Sequence, residues 1–473
     1  MTDTQPRRLE DFEPLTSAEQ KVLDELDTGE EIVIGNDVPD ADAGEHRLIR
    51  ARFLRWVILG CEGSDGYRLH ESGVMIQGAL ITGEGEDRTT HAALDLEGAE
   101  VQQDLLLVNC RFTATLYLSN ADMQAVILDR SHLQGLNAHQ IVALRGVFLR
   151  RVESGGEIGL IGAQIGGNLE CNGAKLRNAG DKALDANGAR ITGTFFWREG
   201  AFAEGAIVLT NAEIGSINDD PKCWPGKGDL LLDRCRYGAF TGPATNVTGK
   251  ARIDWLSRQD LSKYGVEFAP SAYEQCAKVL REMGHQDDAR EILIEKERRL
   301  REARRAKLSG PQLWWRGFWD RFLALTVCYG QKPLNAGYWL AGFWLLGTLA
   351  FAYIHAQDQF KPNNAFVLRA DEWAHCSAEH APPFAYLGDA GQSQLGCFHA
   401  QSEAKGLPAF NPFVYSLDVL FPLVQLEQQV HWIPDDDQTW GAAGKALVYV
   451  QIVMGWLLSL LAVAGLSGII KSD

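Results

Sequence analysis

Between residues 74 and 237 the chain repeats a short pattern of apolar and polar positions. In each repeat two apolar residues flank one position, two spacers follow, and then come a small residue, a spacer and another apolar residue. The small residues at 99, 110, 121 and 131 are ten or eleven residues apart, which is too close for a helical repeat. Clear examples are Leu94-Leu96-Ala99-Val101, Leu105-Leu107-Cys110-Phe112, Leu116-Leu118-Ala121-Met123, Ile158-Leu160-Ala163-Ile165 and Leu230-Leu232-Cys235-Tyr237.

The spacing predicts a solenoid of very short strands over residues 46–269. Apolar residues at i and i+2 lie on one face of a strand, and the small residue fits the tight interior after a turn. Gly98, Asn109 and Gly162 stand where such turns are expected. The pattern is interrupted near residues 135–156. A β-sandwich is the alternative, although sandwiches do not keep a small residue at a fixed position.

Residues 1–45 precede the repeat and are expected to form its N-terminal cap. The sequence Ser17-Ala18-Glu19-Gln20 has the spacing of a capping box, which predicts a short helix that ends near Gly29. The first thirty residues are acidic and lack a long apolar run. We therefore expect no signal peptide and a cytoplasmic N-terminus.

Residues 270–334 change to helical spacing. The pattern predicts a helical hairpin with a stop at Gly284, followed by a basic helix. A segment rich in Trp and Arg comes next and is typical of a helix that lies in the membrane interface. A buried aromatic helix is the alternative. The residues assigned to the interface are Trp314, Trp315, Arg316 and Trp319.

Two long apolar segments follow within residues 335–473. Residues 337–356 and 446–470 contain no Asp, Glu, Lys or Arg. A helix rises about 1.5 Å per residue, so each can cross a hydrocarbon layer of about 30 Å. The sequence therefore predicts a transmembrane domain with two spans and an intervening loop at 357–445.

Basic residues predict the orientation of the spans. Residues 296–332 contain ten Lys or Arg, whereas the 89 residues from 356 to 444 contain three. The positive-inside rule then places the solenoid and both termini in the cytoplasm and the loop outside. We expect the inner membrane of a bacterium.

The predicted orientation separates the nine cysteines. Cys376 and Cys397 lie in the outward loop, and the other seven lie on the reducing side. A disulfide between these two is the economical prediction. A metal site with His375, His380 and His399 is an alternative, but the spacing matches no standard site, so we expect no metal.

Residues 411–424 form a short apolar segment before the second span, bounded by Pro412 and Pro422. The segment can enter a membrane but not cross it, so we interpret it as a possible re-entrant helix. Asp418 inside it is the strongest candidate for a functional residue, because an ionisable group at membrane depth is costly. Asp418 and Glu427 are the candidate ion-site residues of a two-span channel. The alternative is an interfacial helix whose Asp418 reaches the headgroups.

Composition and motif searches narrow the function. The chain has 62 Asp or Glu and 45 Lys or Arg, a net charge of −17, which disfavours nucleic-acid binding. The sequence contains no HExxH, GxSxG or GxxxxGK[ST] motif and no CxxC pair. We therefore expect no catalytic residues and no cofactor.

Three segments carry a resemblance to a known family, namely residues 158–169, Tyr415-Ser416-Leu417-Asp418 and residues 465–471. Together they resemble a bacterial family with a degenerate pentapeptide-like β-helix, a helical pair and a C-terminal domain of two spans. The resemblance implies a right-handed quadrilateral β-helix. Relatives often carry the label membrane-associated oxidoreductase, which implies a redox role, but no GxGxxG follows a strand here.

The predicted function is a membrane-anchored, non-catalytic β-helix scaffold. It would bind an unidentified cytoplasmic protein at the inner face of the bilayer, and we expect a homo-oligomer. An oligomeric ion channel gated by the β-helix is the main alternative. A redox enzyme and an acidic mimic of DNA are weaker ones.

Overall fold

The computed structural model describes residues 8–61, 66–83, 94–259, 268–377, 387–389, 392–421 and 424–467. The chain divides into two compact units, residues 1–306 and 307–473. The first unit is a β-solenoid of about six turns with parallel sheets. The second is mostly helical and includes two candidate membrane-spanning helices. This confirms the predicted fold class and excludes the β-sandwich, because the solenoid strands pair in parallel.

Most strands are short, and from β5 to β10 a strand begins every five or six residues. In chain order they are β1 (Ile32–Val33), β2 (Leu48–Arg50), β3 (Val74–Gln77), β4 (Leu80–Thr82), β5 (Leu94–Asp95), β6 (Glu100–Val101), β7 (Leu105–Val108), β8 (Arg111–Phe112), β9 (Leu116–Tyr117), β10 (Asp122–Ile127), β11 (His132–Leu133), β12 (Leu136–Asn137), β13 (Val142–Phe148), β14 (Glu153–Ser154), β15 (Ile158–Gly159), β16 (Gln164–Ile165), β17 (Asn168–Glu170), β18 (Lys175–Asp185), β19 (Arg190–Trp197), β20 (Phe202–Val208), β21 (Glu213–Asp219), β22 (Leu230–Leu231), β23 (Arg236–Phe240), β24 (Phe360–Pro362) and β25 (Trp432–Pro434).

The helices flank the solenoid and make up most of the second unit. In chain order they are α1 (Ser17–Glu25), α2 (Ala51–Ile58), α3 (Gly249–Leu256), α4 (Ser271–Glu282), α5 (Gln286–Ala306), α6 (Pro311–Val327), α7 (Asn335–Ala356), α8 (Ala365–Leu368), α9 (Asp371–His375), α10 (Gln394–His399), α11 (Pro412–Leu420), α12 (Gln428–His431) and α13 (Thr439–Leu466).

Each turn of the solenoid contributes strands to two sheets, of 11 and 12 strands. Met123 pairs with Ala143 and Val147 pairs with Leu169, so a turn of this part takes 20 to 22 residues. Corners are closed by hydrogen bonds between residues three apart, such as Ala121 N–H to Leu118 O at 3.2 Å. The residue before the small position has a positive φ, as in a type II turn. This backbone geometry explains the ten- to eleven-residue spacing.

The predicted interruption near residues 135–156 is wrong. Strands β12, β13 and β14 continue the solenoid through this segment. Ile141 and Val152 occupy the position where a small residue was expected, and both are fully buried. The preceding Gln140 and Arg151 keep the positive φ of about 56°. The turn therefore persists although the side chain that follows it is larger.

Helix α1 packs on β1 and β2. The first solenoid strand lies within residues 1–45, since β1 pairs with β3. Helix α1 ends at Glu25 rather than near Gly29, and its capping residue is Thr16, one position earlier than predicted. Thr16 and Glu19 bond reciprocally at 3.0 and 3.1 Å. Glu19 is fully buried and also accepts from Arg50, which ties the cap to β2.

The boundary between the units falls after residue 306, whereas the sequence grouped residues 270–334 together. Helix α4 packs on β23, and α5 packs on α3 and α4. Helix α6 instead packs on α7 and α13. The helical hairpin therefore closes the solenoid, and the Trp-rich helix belongs to the second unit.

The candidate spans are α7 and α13, with α11 packed against both. Helix α7 begins two residues before the predicted span, and α13 begins at Thr439 instead of residue 446. The earlier start of α13 accommodates Lys445, whose ammonium pairs with Asp436. Residues 468–470 of the predicted span lie outside the described residues.

Candidate functional site

Asp418 lies in α11, and both of its carboxylate oxygens accept hydrogen bonds from backbone N–H groups. Leu426 N–H donates to Oδ1 and Gln429 N–H donates to Oδ2, each at 2.7 Å. The side chain is 8% exposed. The carboxylate therefore holds the chain that leaves α11, and its charge is met by backbone donors. This geometry favours a structural role for Asp418 over the lining of a pore.

Glu427 differs from Asp418 in its exposure to solvent. The side chain is exposed, and the residue has a left-handed backbone with φ of 63° just before α12. The predicted re-entrant segment is shorter than expected, since α11 ends at Leu420. Residues 422 and 423 of that segment lie outside the described residues.

A polar cluster that sequence reasoning missed joins α7, α11 and α13. Gln451 is fully buried in α13, and its Nε2 donates to Phe343 O at 2.8 Å and to Ser416 Oγ at 3.2 Å. Ser416 Oγ donates to Trp344 O at 2.9 Å. A Cβ on Gly347 would lie 2.0 Å from Gln451 Nε2, so a side chain there would displace the Gln451 amide. The signal was present, because Gln451 is the one amide side chain in residues 446–470.

This cluster can do little chemistry, because neither amides nor hydroxyls titrate near neutral pH. Its members instead satisfy backbone carbonyls at close helix–helix contacts, which is the usual use of polar residues between membrane helices. A Cβ on Gly455 would lie 1.8 Å from Leu420 O, so α13 and α11 touch through their backbones. The cluster is therefore a packing device.

The loop between the spans shares one hydrophobic core with the adjoining ends of α7 and α13, where Phe351 and Val448 lie in the same cluster as Trp373. A disulfide joins Cys376 and Cys397, the two cysteines that the sequence paired. Trp373 and Phe398 pack beside it in a T-shaped contact at 5.3 Å. Strands β24 and β25 pair antiparallel and bring the two ends of the loop together. The loop is thus a stapled module at one end of the spans.

The histidines near the disulfide do not form a described metal site. His375 ends α9 and His399 ends α10, and His380 lies outside the described residues. Three carboxylate groups lie close enough together to hold one metal ion, those of Asp435, Asp436 and Asp437. The Lys361 ammonium meets Asp435 at 2.8 Å and Asp436 at 3.0 Å, which supplies the positive charge that these acids need.

The predicted interface residues lie on α6, where Trp314 is 72% and Trp315 54% exposed. Arg316 is exposed as well, and Trp319 is half-buried. The rings stack on one another, with Trp315 and Trp319 meeting edge to face at 5.9 Å. This helix is not the buried aromatic helix of the alternative interpretation.

One face of the solenoid carries a column of outward side chains, which we call the outward ladder. The strand register places one residue of each successive turn in it, and all are half-buried. The guanidinium groups of Arg150 and Arg198 lie over the two phenylalanine rings at 5.2 and 5.0 Å. The residues of the outward ladder are Leu106, Ile127, Phe148, Glu170 and Phe196.

The C-terminal end of the solenoid buries an ion pair that no sequence pattern singles out. Arg252 on α3 is fully buried and bonds Asp219 through two nitrogens at 2.7 and 2.8 Å. Trp224 Nε1 donates to the same carboxylate at 2.8 Å. The guanidinium lies 3.6 Å from the centre of the Phe240 ring. Its partners are protein groups, so the pair ties α3 to the end of β21.

The cysteines of the solenoid are poor nucleophiles. Burial raises the pKa of four thiols to about 12, so little thiolate exists at neutral pH. Burial also raises the pKa of Cys61 to about 11. These thiols behave as small apolar side chains of the core. The four are Cys110, Cys171, Cys235 and Cys276.

Comparisons of the chain with protein-family models, with curated proteins and with solved structures found no match. The interpretation of function therefore depends on the residues and the geometry described above.

Proposed function

We propose that this chain is a membrane-anchored scaffold that catalyses no reaction. The second unit would hold it in the inner membrane of a bacterium. The solenoid would lie on the cytoplasmic side and bind a protein partner there.

The observation that carries the proposal is the contrast between the surfaces of the two units. In the described part of the first unit the exposed large hydrophobic side chains are Leu59, Leu144 and Phe202. In the second unit such side chains cover α6, α7 and α13. In the most apolar stretch of each candidate span, 22% of the residues are buried, whereas a core helix of a soluble protein is mostly buried. An apolar surface of this extent fits lipid.

Aromatic residues at both ends of the spans support the same interpretation. Tyr338 and Trp339 are exposed in the first turns of α7. Tyr353 near the end of α7 meets Trp440 of α13 edge to face at 5.5 Å. Tyr and Trp collect at the two interfaces of a membrane. The end at which α7 begins follows the basic segment of the chain, and the end at which α7 stops carries the disulfide module. This distribution supports the cytoplasmic assignment of both termini.

The pentapeptide-like character of the solenoid belongs to this proposal. A solenoid coil of 20 to 22 residues corresponds to four steps of about five residues each. The β-turns that close its corners recur at every second step. A redox role finds less support, since burial raises the pKa of the core thiols Cys110, Cys171 and Cys235.

A flux experiment tests the scaffold against the channel. Full-length protein and Asp418→Asn are reconstituted in liposomes loaded with a potassium- or sodium-sensitive dye. We expect no flux above empty vesicles from either protein, because the Asp418 carboxylate is occupied by backbone donors. Flux above that of empty vesicles from the full-length protein would establish the channel and end the scaffold proposal. Loss of that flux in Asp418→Asn protein that is still folded would assign the pore to Asp418.

Photo-crosslinking in intact cells tests partner binding. A photoreactive phenylalanine analogue replaces Phe148 or Phe196 of the outward ladder, and Phe202 serves as the control on the other sheet. We expect one adduct of the same mass from both ladder positions and none from Phe202. Equal adducts from all three positions, or none from either ladder position, would contradict the proposal.

A further inference from the structure

Helix α6 carries a continuous aromatic surface on one face. Trp314, Phe318 and Phe322 follow one another at intervals of four residues and so lie on the same side of the helix. Their rings are nearly parallel, 16° apart, with centres 6.3 and 6.4 Å apart. Trp315 and Trp319 widen this face by one residue on each turn. No described residue outside α6 stacks on these rings.

The C-terminal end of α6 is fixed at one end of the spans. Val327 is fully buried with Ala336 in the first turn of α7 and with Leu458 in the second half of α13. Trp339 Nε1 donates to Leu325 O at 3.0 Å. Helix α6 is therefore attached where α7 begins and α13 approaches its end. Tyr338 and Trp339 in the first turns of α7 are exposed as well.

Two arginines border the aromatic face. At 100° per residue, Arg316 and Arg321 fall on opposite edges of the arc that the five aromatic residues occupy. Both side chains are exposed, whereas Asp320 between them is half-buried. An amphipathic helix of this kind sits at the boundary of headgroups and acyl chains, where guanidinium groups bond phosphate oxygens bidentately.

We propose that α6 lies in the plane of the membrane and binds the headgroups of anionic phospholipids through Arg316 and Arg321. The aromatic face then enters the acyl region and the two guanidinium groups take lipid phosphates. Anionic lipid would thereby be enriched next to the spans on the side of the membrane that bears the solenoid. The inference rests on the proposed membrane anchor and names the lipid class that the anchor selects.

Electron paramagnetic resonance of spin-labelled lipids tests this inference. Full-length protein is reconstituted in phosphatidylcholine vesicles with a trace of spin-labelled phosphatidylglycerol or phosphatidylcholine, and the motionally restricted fractions give the lipid selectivity. We expect the wild type to prefer phosphatidylglycerol, and Arg316→Gln/Arg321→Gln to reduce that preference at least about fivefold. That factor corresponds to about 1 kcal/mol, the contribution of one arginine near an anionic surface.

Two controls keep the experiment decisive. Arg316→Lys/Arg321→Lys keeps both charges and should retain most of the selectivity. Arg369→Gln removes an exposed arginine from the loop after α8 and should change nothing. Equal selectivity in the wild type and the Gln double variant would overturn the inference, as would a loss caused by Arg369→Gln.

Carbonate extraction of the same vesicles separates this inference from the proposed function. If alkaline carbonate removes the wild type from the vesicles, the membrane anchor itself is wrong. If the protein resists extraction but shows no preference for phosphatidylglycerol, the anchor stands and the lipid-binding role of α6 is overturned.

Discussion

Arg252 and Asp219 form a buried ion pair through two hydrogen bonds. Arg252→Ala leaves the Asp219 carboxylate buried with one fewer charged partner, and we expect a loss of about 3–5 kcal/mol in the free energy of unfolding. Urea unfolding of the solenoid, followed by circular dichroism, measures this loss. The double variant Arg252→Met/Asp219→Leu should lose less than the two single changes combined. A loss under about 1 kcal/mol in Arg252→Ala would contradict the assignment.

Asp418 has a separate prediction that concerns stability. Asn at this position offers one carbonyl oxygen, so it can accept from Leu426 N–H or from Gln429 N–H but not hold both as the carboxylate does. We expect Asp418→Asn to cost about 1–3 kcal/mol, seen as a lower thermal transition in detergent. The control is Glu427→Gln, an exposed position that should stay within about 0.5 kcal/mol. Equal thermal transition temperatures in the two variants would contradict the structural role of Asp418.

Residue roles were harder to predict than residue positions. The sequence identified Asp418 as unusual, because the local sequence alone shows an acidic residue within an apolar segment. Its partners are backbone N–H groups at 426 and 429, which leave no mark in the side-chain pattern. Arg252 and Asp219 are 33 positions apart and each stands in an ordinary surrounding. The disulfide needed less information, since the loop contains just two cysteines.

At the scale of elements, close helix packing in the second unit gives a matched test. Gly455→Ala places a methyl group against Leu420 O, and we expect a loss of about 1–3 kcal/mol because α13 must move away from α11. A Cβ on Gly342 meets nothing within 4 Å, so Gly342→Ala should be neutral or stabilise α7 by up to about 1 kcal/mol. Thermal unfolding in detergent compares the two. Equal effects would show that α11 and α13 are not in contact.

The elements themselves could be predicted where one physical rule repeats. The interior of the solenoid requires apolar residues at alternating positions, so the register of β7, β9 and β10 was legible. The interruption was inferred wrongly because the rule that mattered was the positive φ of the turn residue. That conformation is adopted by Gln140 and Arg151 as well as by glycine and asparagine. Side-chain size after the turn is a weaker requirement.

At the scale of the whole molecule, the sequence predicted two long apolar helices, and the structure has them. The division into units was less accessible. Helix α5 is basic and α6 is aromatic, which suggested one juxtamembrane region. Helix α5 packs on α3 and α4, whereas α6 packs on α7 and α13. Tertiary contacts set these packing partners.

This division leads to a prediction about the separate halves of the molecule. The described surface of residues 8–306 exposes few large hydrophobic side chains, so a chain cut after Ala306 should leave the membrane fraction in alkaline carbonate. The full-length chain should stay in that fraction, because the exposed faces of α7 and α13 would otherwise contact water. Fractionation of cells that express each form measures the difference. Retention of the shortened chain after the carbonate wash would mean that the solenoid unit itself holds to the bilayer.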